Sequence, residues 1–339
     1  MFELELERTM DLSSPTVRGT AVVGLGVAVP EPVVPNQVVA DRLGVTPEWI
    51  TERTGVKQRH VAPAEKTLVE IATEGGRAAL EDAGVEADSI DLVIVATVTG
   101  EMLCPAAAPV VAANLGCDHA GAFDLNAACS GFLSGLGMAS AWIATGAAER
   151  ALVVGCDLMY RVIDHDDRST AGIFADGGGA VVLAPCAGEG RIGRINLASD
   201  GGRGELVEAT REEAIVRMNG HDTFRQAVAR LCETTLEAAD DAGLTLDEID
   251  LFVYHQANSR IIAAVGEKLG LDPAKVVDCV GEYGNTSAGS LPIALGVARE
   301  DGRLKPGSKV LLGVFGGGLT WGAGVVEWGF DEEAVDGPE

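Results

Sequence analysis

The sequence predicts a layered α/β protein built from two similar halves. Three observations predict it. Short β-branched runs alternate with amphipathic stretches along most of the chain. One such unit recurs in the second half of the sequence. The 339 residues, 47% of them apolar, are enough for a large buried core or for two ordinary domains.

The elements follow in order. Residues 20–29, 90–98, 150–158, 178–185, 249–257 and 308–316 are rich in Val, Ile and Leu with little polar alternation, the pattern of strands buried on both faces. Segments around 67–83, 105–115, 130–145, 221–242, 258–269 and 287–299 carry apolar residues at helical spacing. Strands of that kind separated by helices make sheets covered on both sides. Residues 1–19 read as a charged extension and 331–339 as a frayed acidic tail. The remainder divides into an N-terminal half, 20–190, and a C-terminal half, 191–330.

The repeat sharpens this division. LEDAGVEADSIDLVIVAT (80–97) aligns without gaps to ADDAGLTLDEIDLFVYHQ (239–256). Further on, ACSG (128–131) lies over TSAG (286–289), LGMA (136–139) over LGVA (295–298), and RALVVG (150–155) over SKVLLG (308–313). Near-constant spacing over separate blocks argues for duplication rather than convergence on a common helix–loop–strand pattern. On this alignment Cys129 corresponds to Ser287. If the copies pack about a pseudo-twofold axis, two helix N-termini meet, and a site between them draws on both halves.

The chain is acidic, with 51 Asp+Glu against 25 Lys+Arg and a net charge of −26. That charge repels polyanions, so neither nucleic acid nor an anionic membrane surface is an expected partner. Seven cysteines, at 104, 117, 129, 156, 186, 232 and 279, are scattered and form no C-x-x-C pair. This argues against a disulfide framework and a thiolate metal site. No run approaches the ~18 apolar residues of a spanning helix. The acidic N-terminus lacks the apolar segment of a secretory signal. The expectation is a soluble protein of the reducing cytoplasm.

Four features carry chemistry. Cys129 lies in FDLNAACSGFLSGLGMA, where a strand-like stretch turns into a small-residue helix. The helix macrodipole is expected to lower the thiol pKa there, although a cysteine among alanines is also common in inert cores. His255 ends an apolar strand just before polar QANSR, where α/β folds place crevices. Its bland alternative is a core histidine bonded to a carbonyl. Asn285, in GEYGNTSAGS, offers two donors and an acceptor, or simply caps a helix. The glycines of VFGGGLTWGAG (314–324) free backbone N–H groups for an oxyanion, or make a plain turn. They lack the G-K-[ST] of a phosphate loop, and GLGVAVP (24–30) lacks the third glycine of a dinucleotide fingerprint. Taken together, a thiol, a histidine, an asparagine and a donor loop suit thioester chemistry.

AACSGF, HQAN, GNTSAGS and FGGGLTWG resemble the signature blocks of β-ketoacyl-[acyl-carrier-protein] synthase III, a condensing-enzyme family of the thiolase superfamily. GLGVAVPEPVVPN (24–36) and EWITERTGVKQRH (48–60) resemble its N-terminal blocks, and the similarity runs in order from about residue 20 to 329. The resemblance implies a five-layer αβαβα thiolase-like fold of two duplicated halves, a homodimer, and no cofactor beyond the substrates acyl-CoA and malonyl-carrier protein. It implies acyl loading on Cys129, then decarboxylative condensation that starts a fatty-acid or polyketide chain.

Cys129 matches the family's nucleophile, and His255 with Asn285 its enolate-stabilising pair. The N–H groups of Cys129 and Gly317 match its oxyanion hole. Trp49 and Arg168 match the pair that sandwiches the CoA adenine, Arg53 a nearby phosphate or adenine contact, and Gly220 and Asn258 pantetheine contacts. Cys104, Phe174, Phe224 and Phe315 match acyl-pocket positions. Arg225, Arg260 and Lys268 match basic positions that dock the acidic acyl carrier protein. Two departures stand out. Cys104 replaces a bulky aromatic that crosses the dimer interface, which implies room for a primer longer than acetyl. The loop 200–218 is short, rich in Glu, and expected near the tunnel mouth. An acyltransferase acting on a hydroxyl or amine without decarboxylation is the alternative, but it has no need of Asn285. A non-catalytic subunit would lack Cys129.

Overall fold

A computed structural model describes residues 18–188 and 190–329. The expected tail at 331–339, and the extension at 1–19 apart from its last two residues, lie outside the described residues.

Two five-stranded sheets dominate the chain. The first contains β1 (Gly19–Ala28), β2 (Leu92–Ala96), β3 (Gly121–Leu125), β4 (Ala151–Leu158) and β5 (Asp176–Cys186), in the order β1-β5-β4-β2-β3. The second contains β6 (Ile192–Ser199), β7 (Leu251–Tyr254), β8 (Val276–Val277), β9 (Lys309–Gly316) and β10 (Thr320–Glu327), in the order β6-β10-β9-β7-β8. The strand order is the same in both. So are the senses: β2 runs parallel to β3 and β4, as β7 does to β8 and β9, and the other pairs are antiparallel.

Six helices complete the layers: α1 (Leu68–Ala83), α2 (Ala107–Leu115), α3 (Gly131–Ala144), α4 (Gly220–Asp241), α5 (Ser259–Leu269) and α6 (Ser290–Glu300). The side chains of β2 alternate. Leu92 and Ile94 face a central core shared with Phe132, Leu133 and Leu136 of α3 and Leu291 and Leu295 of α6. Val93 and Val95 face the outer helices α1 and α2. The second sheet repeats this, with Val253 turned inward and Phe252 and Tyr254 turned toward α4 and α5. The resulting layers are helix, sheet, helix pair, sheet, helix, as the resemblance implies.

The repeated DAG…IDL motif has a local physical cause. Gly84 and Gly243 adopt φ of +63° and +66° at the ends of the outer helices, a conformation that glycine enters without a Cβ clash. The Asp91 carboxylate accepts the Arg150 N–H at 3.1 Å, and the Asp250 carboxylate accepts the Lys309 N–H at 2.8 Å. Each aspartate thereby staples its strand to the next. These bonds also set the register of the duplication. Arg150 matches Lys309, and positive-φ Ala128 matches positive-φ Ser287, a constant separation of 159 residues. Cys129 therefore corresponds to Ala288, not to Ser287 as the sequence alignment suggests.

The expected strands and helices are present, and the differences have clear causes. β6 is half exposed and polar, so it carries no buried-strand signal. β10 begins inside the segment read as a glycine-rich donor loop. Its glycines serve close approach of strands, since a Cβ on Gly322 would sit 2.3 Å from Asn196 O. Only residues 317–319 form the turn.

Glycine also lets the halves meet. A Cβ on Gly155 of β4 would lie 2.3 Å from Ala288 O. Gly155→Ala is expected to lower the unfolding free energy by about 1–3 kcal/mol, read from urea denaturation. An unchanged midpoint would contradict this account of the contact.

Candidate active site

The turn that carries Cys129 follows β3. The chain passes Asn126 and Ala127, turns at Ala128 with φ +47°, and enters α3 at Gly131. A positive φ on alanine costs about 1–3 kcal/mol, and neighbouring groups hold it. Asn126 Oδ1 accepts the Ala128 N–H at 3.4 Å, Ser130 N–H donates to Ala127 O at 3.0 Å, and the Thr320 hydroxyl lies 3.3 Å from the same oxygen. Cys129 is left half-buried, with its sulfur beside the N–H groups of Cys129 and Gly317.

His255 follows β7 and is only 4% exposed. Its N–H donates to Gly313 O at 2.8 Å, which fixes the backbone. The next residue, Gln256, works as a latch. Its amide donates to Tyr254 O and Val277 O at 2.7 and 3.1 Å, and its oxygen accepts the Cys279 N–H at 2.7 Å. Among the described residues nothing partners the buried His255 Nδ1. An orphaned acceptor costs less than an orphaned donor, so the proton resides on Nε2. Asn285, 5% exposed, is held by backbone bonds to Ile173 and Ala175. Its Oδ1 accepts the Ser287 N–H at 2.9 Å, which commits the oxygen and turns the side-chain NH2 into the free donor.

Burial decides the charge states. It pushes the Cys129 thiol up to about 11, and the nearby Asp157 carboxylate adds to this. The Ser287 hydroxyl and the N–H groups of Cys129 and Gly317 oppose the rise but do not cancel it. The expected lowering by the helix dipole is overturned, because desolvation of the thiolate between the two halves outweighs it. Burial likewise holds His255 down at about 4, so the imidazole is neutral at pH 7.

Cys129, His255, Asn285 and Gly317 all line one cavity of about 1400 Å³. Phe174, Phe224 and Phe315 line it as well, but Cys104 does not. It is exposed and outside its own chain's cavity. Trp49, Arg53, Arg168, Gly220, Asn258, Arg225 and Arg260 also line it, whereas Lys268 sits on the exposed face of α5. Arg53 covers the Trp49 ring at 4.2 Å, and Arg168 is tethered to Leu43 O at 2.9 Å. Arg53, rather than Arg168, is thus the guanidinium nearest the indole face. Asn258 caps α5 through the Arg260 N–H and donates to Arg53 O at 3.0 Å. Arg260 lies over Phe224 at 5.7 Å. The loop 200–218 contributes Val207, Glu208 and Val216 to the wall.

Among the described residues five arginines line the cavity against two carboxylates, the reverse of the balance in the whole chain. The fifth, Arg211, carried no motif in the sequence. Gln256 and Asp157 were also missed. The signal for Asp157 was a charge at the end of an otherwise apolar run.

A half-buried thiol with a raised pKa, a neutral imidazole and a free amide around one cavity, on a doubled α/β fold, suit a thioester-using condensing enzyme. Models of 3-oxoacyl-[acyl-carrier-protein] synthase III match residues 123–201, and those of its C-terminal region residues 239–328. The β-ketoacyl-[acyl-carrier-protein] synthase III of Bradyrhizobium diazoefficiens is 42% identical over 321 residues, covering 91% of this chain and 98% of its own. The crystal structure of the corresponding enzyme from Pseudomonas aeruginosa superposes with a TM-score of 0.88 at 40% identity, covering 92% and 99% of the two chains. A priming β-ketosynthase of a polyketide pathway gives 0.90 at 34%, covering 94% and 99%. The chain belongs to the β-ketoacyl-[acyl-carrier-protein] synthase III family.

The raised thiol has a direct consequence. Alkylation of Cys129 by iodoacetamide, followed by mass spectrometry, is expected to accelerate well past pH 9, toward the value of about 11. A plateau below pH 8 would show a preformed thiolate.

Proposed function

We propose that the enzyme loads an acyl group from acyl-CoA onto Cys129 and condenses it with malonyl-carrier protein. The convergence of Cys129, His255, Asn285 and Gly317 on one cavity carries this reading. In the first half-reaction the Cys129 sulfur attacks the thioester carbonyl, and CoA leaves as the thiol with the cysteine's proton. In the second, the bond from malonyl carbon to carboxylate breaks and CO₂ departs. The electron pair passes to the thioester oxygen, where the Nε2–H of His255 and the NH2 of Asn285 stabilise the enolate. No base is required. The carbanion attacks acyl-Cys129, and the N–H groups of Cys129 and Gly317 hold the resulting oxyanion. The collapsing intermediate expels the Cys129 thiolate, which regains a proton from water.

The rim supplies binding. Arg53, Arg168 and Trp49 suit the phosphates and adenine of CoA. Arg225, Arg260 and Lys268 suit an acidic carrier protein, and a chain this acidic needs such an island. A homodimer accounts for Met102 and Leu103, which are 63% and 85% exposed at the cavity wall. Within it, Cys104 would floor the partner's acyl pocket and admit a primer longer than acetyl. The setting is the cytoplasm. Among the described residues no helix is long and apolar enough to cross a membrane.

Asn285→Ala is expected to retain acyl loading, read as added mass on Cys129, while CO₂ release falls roughly 10²–10³-fold. Acyl loading without CO₂ in the wild type would instead favour an acyltransferase. Arg260→Glu should raise KM for malonyl-carrier protein more than for acyl-CoA, and equal effects would remove the docking role. Across an acyl-CoA chain-length series, a clear optimum at acetyl would contradict the role given to Cys104.

A further inference from the structure

The two elbows use the same backbone position differently. At the second, the Ala288 N–H donates to Asp157 Oδ2 at 3.1 Å. The equivalent N–H at the first belongs to Cys129, 159 residues earlier, and no protein oxygen among the described residues accepts it. The strand-end residues facing these N–H groups are equivalent too: Asp157, next to last in β4, and Gly316, last in β9, are again 159 residues apart. A Cβ on Gly316 would lie 2.9 Å from Cys129 N, so any side chain would cover that N–H. Glycine keeps the first seat open for a substrate oxyanion. At the second elbow a resident carboxylate already fills it.

We propose that Asp157 is a positioning residue for condensation: its carboxylate occupies the anion seat of the second elbow and so locks the 285–288 turn that presents the Asn285 amide. Asp157 is fully buried. Its Oδ1 accepts from the Thr97 hydroxyl at 2.9 Å, the Val98 N–H at 2.8 Å and the Thr99 hydroxyl at 2.9 Å. No cation pairs with it among the described residues. A buried, unpaired carboxylate is tolerable only when donors surround it, and these four do. The coupling to Asn285 is short. Ser287, strained at φ +51°, itself supplies the N–H that fixes Asn285 Oδ1 and is bonded directly to Ala288. Loss of the carboxylate frees the turn, and the amide loses its aim.

This inference rests on the assignment of Asn285 to the enolate step. Asp157→Asn tests it with almost no change in volume. The Asn carbonyl stays with the three donors at Oδ1, so its NH2 must face the Ala288 N–H, donor against donor. Acyl loading on Cys129 is expected to stay within about threefold of wild type, while CO₂ release from malonyl-carrier protein falls about 10–100-fold. Removing the Asp157 charge should also move the pH dependence of Cys129 alkylation to lower pH. Equal losses in both half-reactions, or no loss in either, would overturn the proposal. Asn285→Ala run alongside separates the two failures. If it keeps wild-type CO₂ release, the Asn285 role is wrong. If it loses CO₂ release while Asp157→Asn does not, only the positioning role is wrong. Should Asp157→Asn not fold, Thr97→Val removes one donor to the carboxylate. The same division between half-reactions is then expected at a severalfold level, and equal losses would again overturn the proposal.

Discussion

Two strained backbone turns meeting at the centre of the molecule constrain everything else. Ala128 and Ser287 take the same positive φ at equivalent points of the two halves, and the helices that follow them form the middle layer. Close approach is possible because Gly155 and Gly289 have no side chain where Ala288 O and Gly177 O stand. The contact buries the second turn and leaves the first half-buried at the cavity floor. It also brings His255 and Asn285, which belong to the second half, to the cysteine of the first. A site assembled this way cannot exist in either half alone.

That burial sets the chemistry. The same removal from water that raises the Cys129 thiol keeps the His255 imidazole neutral. A neutral histidine that donates from Nε2 suits an oxygen that gains charge during reaction, and a low-dielectric floor strengthens each such bond. The raised thiol is largely protonated at neutral pH, and a thiol is oxidised and alkylated more slowly than a thiolate. The arginines of the cavity are kept to its rim, where they face water and lose little solvation.

The duplication was legible because its motif residues have backbone jobs. Gly84 and Gly243 end helices, and Asp91 and Asp250 staple strands. The one-residue slip at the elbows arose because ACSG and TSAG match by composition. The true marker is a positive φ, and nothing announces it when Ala and Ser, not Gly, adopt it. β10 was hidden by glycines that serve sheet packing. The sign of the Cys129 shift was out of reach for a related reason. The helix start is local in sequence, but the second half that desolvates the sulfur is not. Asp157 was visible as a lone charge ending an apolar run, yet its partner Ala288 lies 131 residues away.

The account divides labour between the elbows, with the acyl oxyanion on the first and the malonyl enolate on the second. The most direct measurement is a crystal structure of acylated Cys129 with a non-decarboxylating malonyl-thioester analogue bound. The account predicts the acyl oxygen at roughly 2.7–3.1 Å from the N–H groups of Cys129 and Gly317, and the analogue's thioester oxygen at similar distance from His255 Nε2 and the Asn285 amide. Both oxygens at one set of donors, or the analogue's oxygen away from Asn285, would contradict it.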